Sequence, residues 1–292
     1  MKKSIGIIGL GRCGMPAAEK FMKAGYQVIG RARRPEVISA FEELGGIYAD
    51  SPAQMAEQTD LIIVIVLNDE QVFEVLTGPD GVLQSAKPGT LVICMSTINR
   101  ANLQSVYASC NEKGLDFVDS PFTGGPARIT AGTLTLICAA KPETMEKARP
   151  HLEVMGQITA AGSEPGMAQA VKHCNQLMVC AIHAATIELI TLAEKTGADP
   201  KLVCDVIGSG IGGNDYFRLL SKAINENTSS PGGMGQLWKD INLVITSARE
   251  HNLPLLVANS TAQYFNMAVS QGLANQDSAL LQGVLRRMIE GE

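Results

Sequence analysis

Near the start of the chain, the stretch "IGIIGLGRCGMPAAEKFM" (5–22) runs from an apolar strand pattern into a helical one through Gly9, Gly11 and Gly14. A G-x-G-x-x-G at a strand-to-helix turn constrains the backbone strongly. The first glycine permits the tight turn, the second lets a ligand approach the main chain, and the third lets the helix pack on the strand. The helix N-terminus then offers its unpaired N–H groups to an anion, as a pyrophosphate requires. A chain with 29 glycines produces such spacings by chance, so the strand before and the helix after carry the assignment. Gly9, Leu10, Gly11, Arg12, Cys13 and Gly14 are the resulting dinucleotide-binding candidates, with Cys13 read as a small apolar filler.

Apolar runs at 5–11, 27–30, 61–67, 89–96, 116–120 and 134–140 read as strands, and 14–24, 35–44, 69–76 and 100–113 have helical spacing. Continuous runs such as "LIIVIVL" indicate strands buried on both faces of a parallel sheet. The alternation predicts an α/β fold, a Rossmann-type doubly wound sheet over 1–163. Beyond it, Met167 to Lys195 has no proline or interior glycine, and Gly197 follows as a stop signal. Such a helix is about 43 Å long at 1.5 Å per residue, which suits a connecting spine. Helical patterns at 200–208, 213–224, 236–251, 255–271 and 277–290 make 164–292 an all-α C-terminal domain for substrate binding and oligomerisation. The stretch "ENTSSPGGMG" (226–235) is its main loop.

Composition narrows the function classes. The 292 residues are 46% hydrophobic and 18% charged with a net charge of −5, so nothing draws the chain toward nucleic acid or an anionic membrane. The longest aliphatic run, 61–67, is far shorter than the roughly 18 residues that span a bilayer. Seven cysteines without a C-x-x-C pair indicate reduced thiols in a cytoplasmic protein. His151, His173, His183 and His251 have no triad or metal spacing, so no metal is expected.

Against that acidic background, "GRARRPE" (30–36) stands out at the tip of the second strand. An Asp or Glu there accepts from the ribose 2′-hydroxyl of NAD. This chain places Arg31, Arg33 and Arg34 there and has no acid before Glu36. Guanidinium groups bind phosphate in a bidentate fashion, whereas a carboxylate repels a 2′-phosphate. The cluster therefore points to NADP, with Arg31 and Arg33 ahead of Arg34; the alternative is a solvated basic turn. Leu67, Asn68 and Thr97, at strand ends, face the same crevice.

Several further segments, in order, resemble the β-hydroxyacid (3-hydroxyisobutyrate) dehydrogenase family over essentially the whole chain. "GIIGLGRCGMPAAEKFMKAGY" is similar to its N-terminal signature, and "MSTI" (95–98) to the segment that ends the fourth strand beside the nicotinamide. "DSPFTGGPARITAGTL" (119–134) is similar to its substrate loop, and "GMAQAVKHCNQ" (166–176) to its lysine-bearing helix. "WKDINL" (238–243) and "GLANQDSAL" complete the set.

The resemblance implies that Lys172, after Gly166, is the general acid/base at the substrate hydroxyl, a task to which lysine suits itself because its pKa falls readily. It implies that Thr123, Gly124 and Gly125, where the family usually has S-G-G, cradle a carboxylate. Asn175 and Gln176 replace the family's usual asparagine pair, which leaves open which of them reaches the substrate. Lys239 is expected to reach the cofactor or the substrate carboxylate, and Asp240 to have a structural partner. Trp238 either shapes the substrate side or lies in the core. Asp215, in the loop 208–218, either holds a substrate ammonium or caps a helix.

The expected activity is NADP-dependent interconversion of a short 3-hydroxy acid and its semialdehyde or ketone. The candidate small-molecule substrates are 3-hydroxyisobutyrate, tartronate semialdehyde, threonate and β-hydroxy amino acids such as D-threonine. A homodimer or homotetramer is expected from the apolar helical domain. A non-catalytic scaffold and an imine reductase are the alternatives; retention of Lys172 argues against both, and the T-G-G turn against the second.

Overall fold

The computed structural model describes residues 3–291. The chain divides into two compact units at 172/173. The first unit begins with β1 (Ser4–Ile8), α1 (Gly14–Lys23), β2 (Gln27–Arg31), α2 (Pro35–Glu43), β3 (Ile47–Tyr48) and α3 (Pro52–Gln58). It continues with β4 (Leu61–Val64), α4 (Asp69–Thr77), β5 (Leu91–Cys94), α5 (Arg100–Glu112) and β6 (Asp116–Asp119). β7 (Phe122–Thr123), α6 (Gly125–Ala131), β8 (Leu134–Ala139), α7 (Pro142–Leu152) and β9 (Gly156–Gly162) follow.

The strands form one sheet in the order β3-β2-β1-β4-β5-β6-β8-β7, with β9 paired to β8. β1 to β6 are parallel. β8 runs antiparallel to β6 and β7 and parallel to β9. The order 3-2-1-4-5-6 is the doubly wound arrangement, and its switch point lies beside β1, where ligands bind at the carboxyl ends of the strands. The alternating side chains of β4 divide between two cores. Leu61 and Ile63 join one, and Ile62 and Val64 the other. All four are buried, as the continuous aliphatic run predicts for a sheet covered on both faces.

Local chemistry sets the helix starts. Ser51 Oγ, Asn68 Oδ1 and Asn99 Oδ1 accept from backbone N–H groups in the first turns of α3, α4 and α5. The elements the sequence reading lacks are β3, β7, β9, α3, α6 and α7. β3 and β7 have two residues each, too short for any periodicity. β9 is "GQITAAG" and is mostly half-buried or exposed, so its pairing with β8 makes it a strand.

Helix α8 (Met167–Thr196) contains the division between the units; the expected boundary at 163/164 lies just before it. α8 is long and apolar enough to cross a membrane, but half of its most apolar window is buried within the protein. Gln169, Lys172, His173, Gln176 and His183 are buried along it, which marks a core helix. The second unit adds α9 (Pro200–Ser209), α10 (Asp215–Asn225), α11 (Met234–Glu250), α12 (Leu256–Ser270) and α13 (Leu281–Glu290). Its core gathers Ile187, Leu237, Ile241, Val244, Phe265 and Val284. The 226–235 loop is fastened by Asp277, whose carboxylate accepts from Ser230 N–H at 3.0 and 3.1 Å.

Candidate active site

The glycine loop leaves β1 at the switch point. Gly9 has φ +100°, and a Cβ there would lie 2.2 Å from the Ile65 carbonyl oxygen. A Cβ on Gly14 would come within 1.8 Å of the Gly9 carbonyl oxygen, so only glycine lets α1 start this close to β1. Around Gly11 the space is open, with nothing within 4 Å of such an atom. Two glycines closed by backbone and one left clear are what a pyrophosphate approaching the main chain needs, so these residues fit a dinucleotide. Gly9 N–H donates to the Arg31 carbonyl at 3.0 Å, tying the loop to the end of β2. Leu10 turns its side chain into the core, so its part in the loop is played by its backbone. Arg12 is exposed and Cys13 half-buried.

The three arginines stand differently. Arg31 is half-buried. Its Nη1 donates to the Ala32 carbonyl at 2.8 Å and to the Tyr48 hydroxyl, with the guanidinium 5.6 Å from the centre of the Tyr48 ring. Arg33 is exposed. Arg34 lies 3.7 Å from Glu36 in an exposed pair. Tyr48 was not among the expected residues; it enters because Gly30 pairs with it across β2 and β3.

The other strand ends converge on the same edge. Leu67 is exposed and its N–H donates to Gln71 Oε1 at 3.0 Å. Asn68 Oδ1 caps α4 by accepting from Gln71 N–H at 3.1 Å. Ser96 Oγ accepts from Val66 N–H at 2.9 Å, which holds the 66–68 loop to the segment containing the half-buried Thr97. Thr123 ends β7, paired with Thr135 of β8. Gly124 and Gly125 follow with φ +129° and +68° and open α6.

Lys172 is buried in the second turn of α8. Burial pushes the Cys13 thiol up, and the charges of Arg12 and Lys172 act against that rise. The lysine's charge therefore reaches into the glycine loop. The start of α8 is held by two residues to which the sequence reading assigns no role. Asp119, fully buried at the end of β6, accepts from Gly166 N–H at 2.8 Å and from Gln169 Nε2 at 2.8 Å. Burial pushes its carboxyl up to about 6 despite these donors. Their only sequence signals are that Asp119 heads the T-G-G segment and that Gln169 precedes Lys172 by one helical turn.

In the second unit, Gln176 is buried and its Nε2 donates to Asp240 Oδ2 at 2.5 Å. Lys239 Nζ lies 2.8 Å from the other carboxylate oxygen. Asp240 therefore has its expected structural partners. Asn175 is half-buried. Trp238 is 36% exposed and donates to Asn266 Oδ1 at 2.9 Å, so it is not a core residue. Asn214, not Asp215, caps α10; Asp215 lies 3.2 Å from Arg218.

Comparison with known proteins agrees with this fold. Residues 166–285 match the family model described as NAD-binding of NADP-dependent 3-hydroxyisobutyrate dehydrogenase. Residues 4–174 match that described as the NAD binding domain of 6-phosphogluconate dehydrogenase. The chain belongs to the 3-hydroxyisobutyrate dehydrogenase family. Members of this family are NAD(P)-dependent hydroxyacid dehydrogenases, and this chain is one of them. L-threonate dehydrogenase of Cupriavidus necator is 30% identical over 96% of this chain and 95% of its own length. The structure of 3-hydroxyisobutyrate dehydrogenase from Salmonella typhimurium aligns with a TM-score of 0.90 at 26% identity, covering 97% of this chain and all of that one. Psf3 in complex with NADP+ and 2-OPP aligns at 0.88 and 26%, over 96% and 99% of the two chains.

Proposed function

We propose that this dehydrogenase uses NADP and interconverts a short 3-hydroxy carboxylate and its semialdehyde or ketone, with Lys172 as general acid/base. The carrying observation is a buried lysine on α8, three residues after Gln169; the Gln169 side chain is bonded to Ser96, Ile98 and Asp119 at the carboxyl ends of β5 and β6. The nicotinamide, when bound, supplies or takes the hydride. In the reductive direction the Lys172 ammonium donates a proton to the carbonyl oxygen as that oxygen becomes a hydroxyl. In the oxidative direction the neutral amine takes the hydroxyl proton back. Thr123, Gly124 and Gly125 hold and orient the substrate, with Asn175 three residues beyond Lys172 on α8.

NADP is favoured because the tip of β2 has no acid, while Tyr48 steadies Arg31 and Arg33 is exposed. That Psf3 binds NADP+ adds support. The substrates in view are 3-hydroxyisobutyrate, tartronate semialdehyde, threonate and β-hydroxy amino acids. Seven cysteines held as thiols support a cytoplasmic setting. Exposed Leu192, Leu202, Val206 and Leu219 in the second unit support a homodimer or homotetramer.

The test is a steady-state screen of 3-hydroxy acids, including both threonine enantiomers, with NADP and with NAD. Lys172→Ala is expected to lower kcat by roughly 10²- to 10⁴-fold on the best substrate. Turnover near the wild-type rate in that variant overturns the mechanism, and activity on none of the acids overturns the substrate class.

A further inference from the structure

We propose that Asp119 and Gln169 form a buried clamp that positions Lys172 for proton transfer, an inference that rests on the role given to Lys172 above. The Gln169 carboxamide uses all its polar atoms on three residues of two separate segments. Oε1 accepts from Ile98 N–H at 3.1 Å, while Nε2 donates to the Ser96 carbonyl at 3.1 Å and to Asp119 Oδ1 at 2.8 Å. Asp119 Oδ2 accepts from Gly166 N–H at 2.8 Å and from Gln169 N–H at 3.3 Å. Both side chains are wholly buried. The first turn of α8 is thereby fastened to the ends of β5 and β6, on either side of Thr97.

Each of these bonds is expensive to lose, because a buried donor or acceptor left unmade forfeits its full hydration. The network consequently has one low-energy arrangement, and α8 starts in one rotational setting about its axis. Lys172 is the third residue after Gln169, on the same helical face. Its ammonium inherits the direction that the clamp imposes. A general acid works only within hydrogen-bond reach of the reacting oxygen, and a misplacement of about 1 Å costs on the order of 10²-fold. Neither Asp119 nor Gln169 needs to touch the substrate for this; they are positioning residues.

Gln169→Met keeps the length of the side chain and removes the carboxamide. Asp119→Asn keeps one acceptor oxygen and serves as the second variant should the first not fold. For the folded variant, kcat is expected to fall roughly 10- to 100-fold, with the dissociation constant for NADPH, read by fluorescence titration, within twofold of the wild type. The solvent deuterium isotope effect on kcat is expected to rise, since proton transfer becomes slower than the remaining steps. A kcat within threefold of the wild type in both variants overturns the clamp. So does a fall in kcat matched by an equal weakening of NADPH binding, which marks general loosening of the fold. Lys172→Ala, measured alongside, separates the two ideas: an active Lys172→Ala sinks the acid/base reading, whereas an inactive one beside fully active clamp variants sinks the clamp alone.

Discussion

Gln176 Nε2 donates to Asp240 Oδ2 at 2.5 Å, inside the second unit, while Lys239 Nζ lies 2.8 Å from Oδ1 of the same carboxylate. A carboxylate that is 1% exposed needs such partners, because an uncompensated buried charge is strongly destabilising. The glutamine that stands in for the family's second asparagine therefore bonds Asp240, which favours Asn175 as the amide in the proposed substrate site. Gln176→Ala is expected to lower stability by about 1–3 kcal/mol in urea denaturation with little change in KM. Asn175→Ala is expected to leave the denaturation midpoint in place and raise KM about tenfold, the loss of one good hydrogen bond to a charged group. The opposite pattern would exchange the two roles.

The glycine loop predicts a split between folding and binding. Gly14→Ala sets a methyl 1.8 Å from the Gly9 carbonyl oxygen, which no rotamer relieves. Loss of soluble protein or a melting temperature several degrees lower is expected, equivalent to a few kcal/mol. Gly11→Ala meets nothing within 4 Å and is expected to melt as the wild type does. Its cost falls on the dinucleotide, whose dissociation constant should rise at least tenfold in a fluorescence titration, since the new methyl occupies the path of the pyrophosphate.

The arginines should rank by their surroundings. Arg33→Ala is expected to lower kcat/KM for NADP about tenfold or more and to leave that for NAD nearly unchanged. Arg34, already paired with Glu36 at 3.7 Å in solvent, should matter less. Tyr48→Phe removes the hydroxyl that receives Arg31 while keeping the ring beneath it, so a smaller loss confined to NADP is expected. Equal effects on both dinucleotides would count against the cluster as a 2′-phosphate reader.

Acid should affect the two units in opposite senses. His183 is buried between the Tyr216 hydroxyl at 3.0 Å and the Ser278 carbonyl at 3.1 Å, and burial pulls it down to about 4. A carbonyl only accepts, so Nε2 donates to Ser278 and the neutral ring accepts from Tyr216. Its folded-state value lies below the ordinary 6.5. The stability it contributes is present above pH 6.5 and is lost as pH falls through about 4. Asp119 is raised to about 6, so the stability linked to its protonated form is present below 3.8 and is lost as pH rises through 6. Each effect is on the order of 3 kcal/mol. Melting curves from pH 4.5 to 7.5 should show His183→Gln flattening the acid loss and Asp119→Asn removing the opposing trend.

Part of the candidate site follows from local rules. The Gly9–Gly14 spacing and the arginine cluster sit where a strand-helix-strand unit must place them, whereas Lys172, on α8 beyond Gly166, is singled out by the family resemblance. Asp119, Gln169 and Tyr48 were not legible. The run 116–120 reads as a strand without saying what its aspartate meets, a glutamine in an apolar helix has no pattern that names its partners, and a tyrosine in a two-residue strand has no period to announce it.

By itself, the sequence determined what depends on covalent order and short periods: buried strands from continuous aliphatic runs, the glycine turn between β1 and α1, the absence of an acid at the tip of β2, and an all-helical second unit. Tertiary structure decided which buried polar groups meet. Gln169 finds Asp119 across 50 residues, Ile98 across 71 and Ser96 across 73, and Gln176 finds Asp240 across 64. Such partners are chosen by desolvation, since a buried amide or carboxylate is stable only where the chain brings it a complementary group. The strand order around β1 and the course of α8 set those meetings, and no local pattern encodes them.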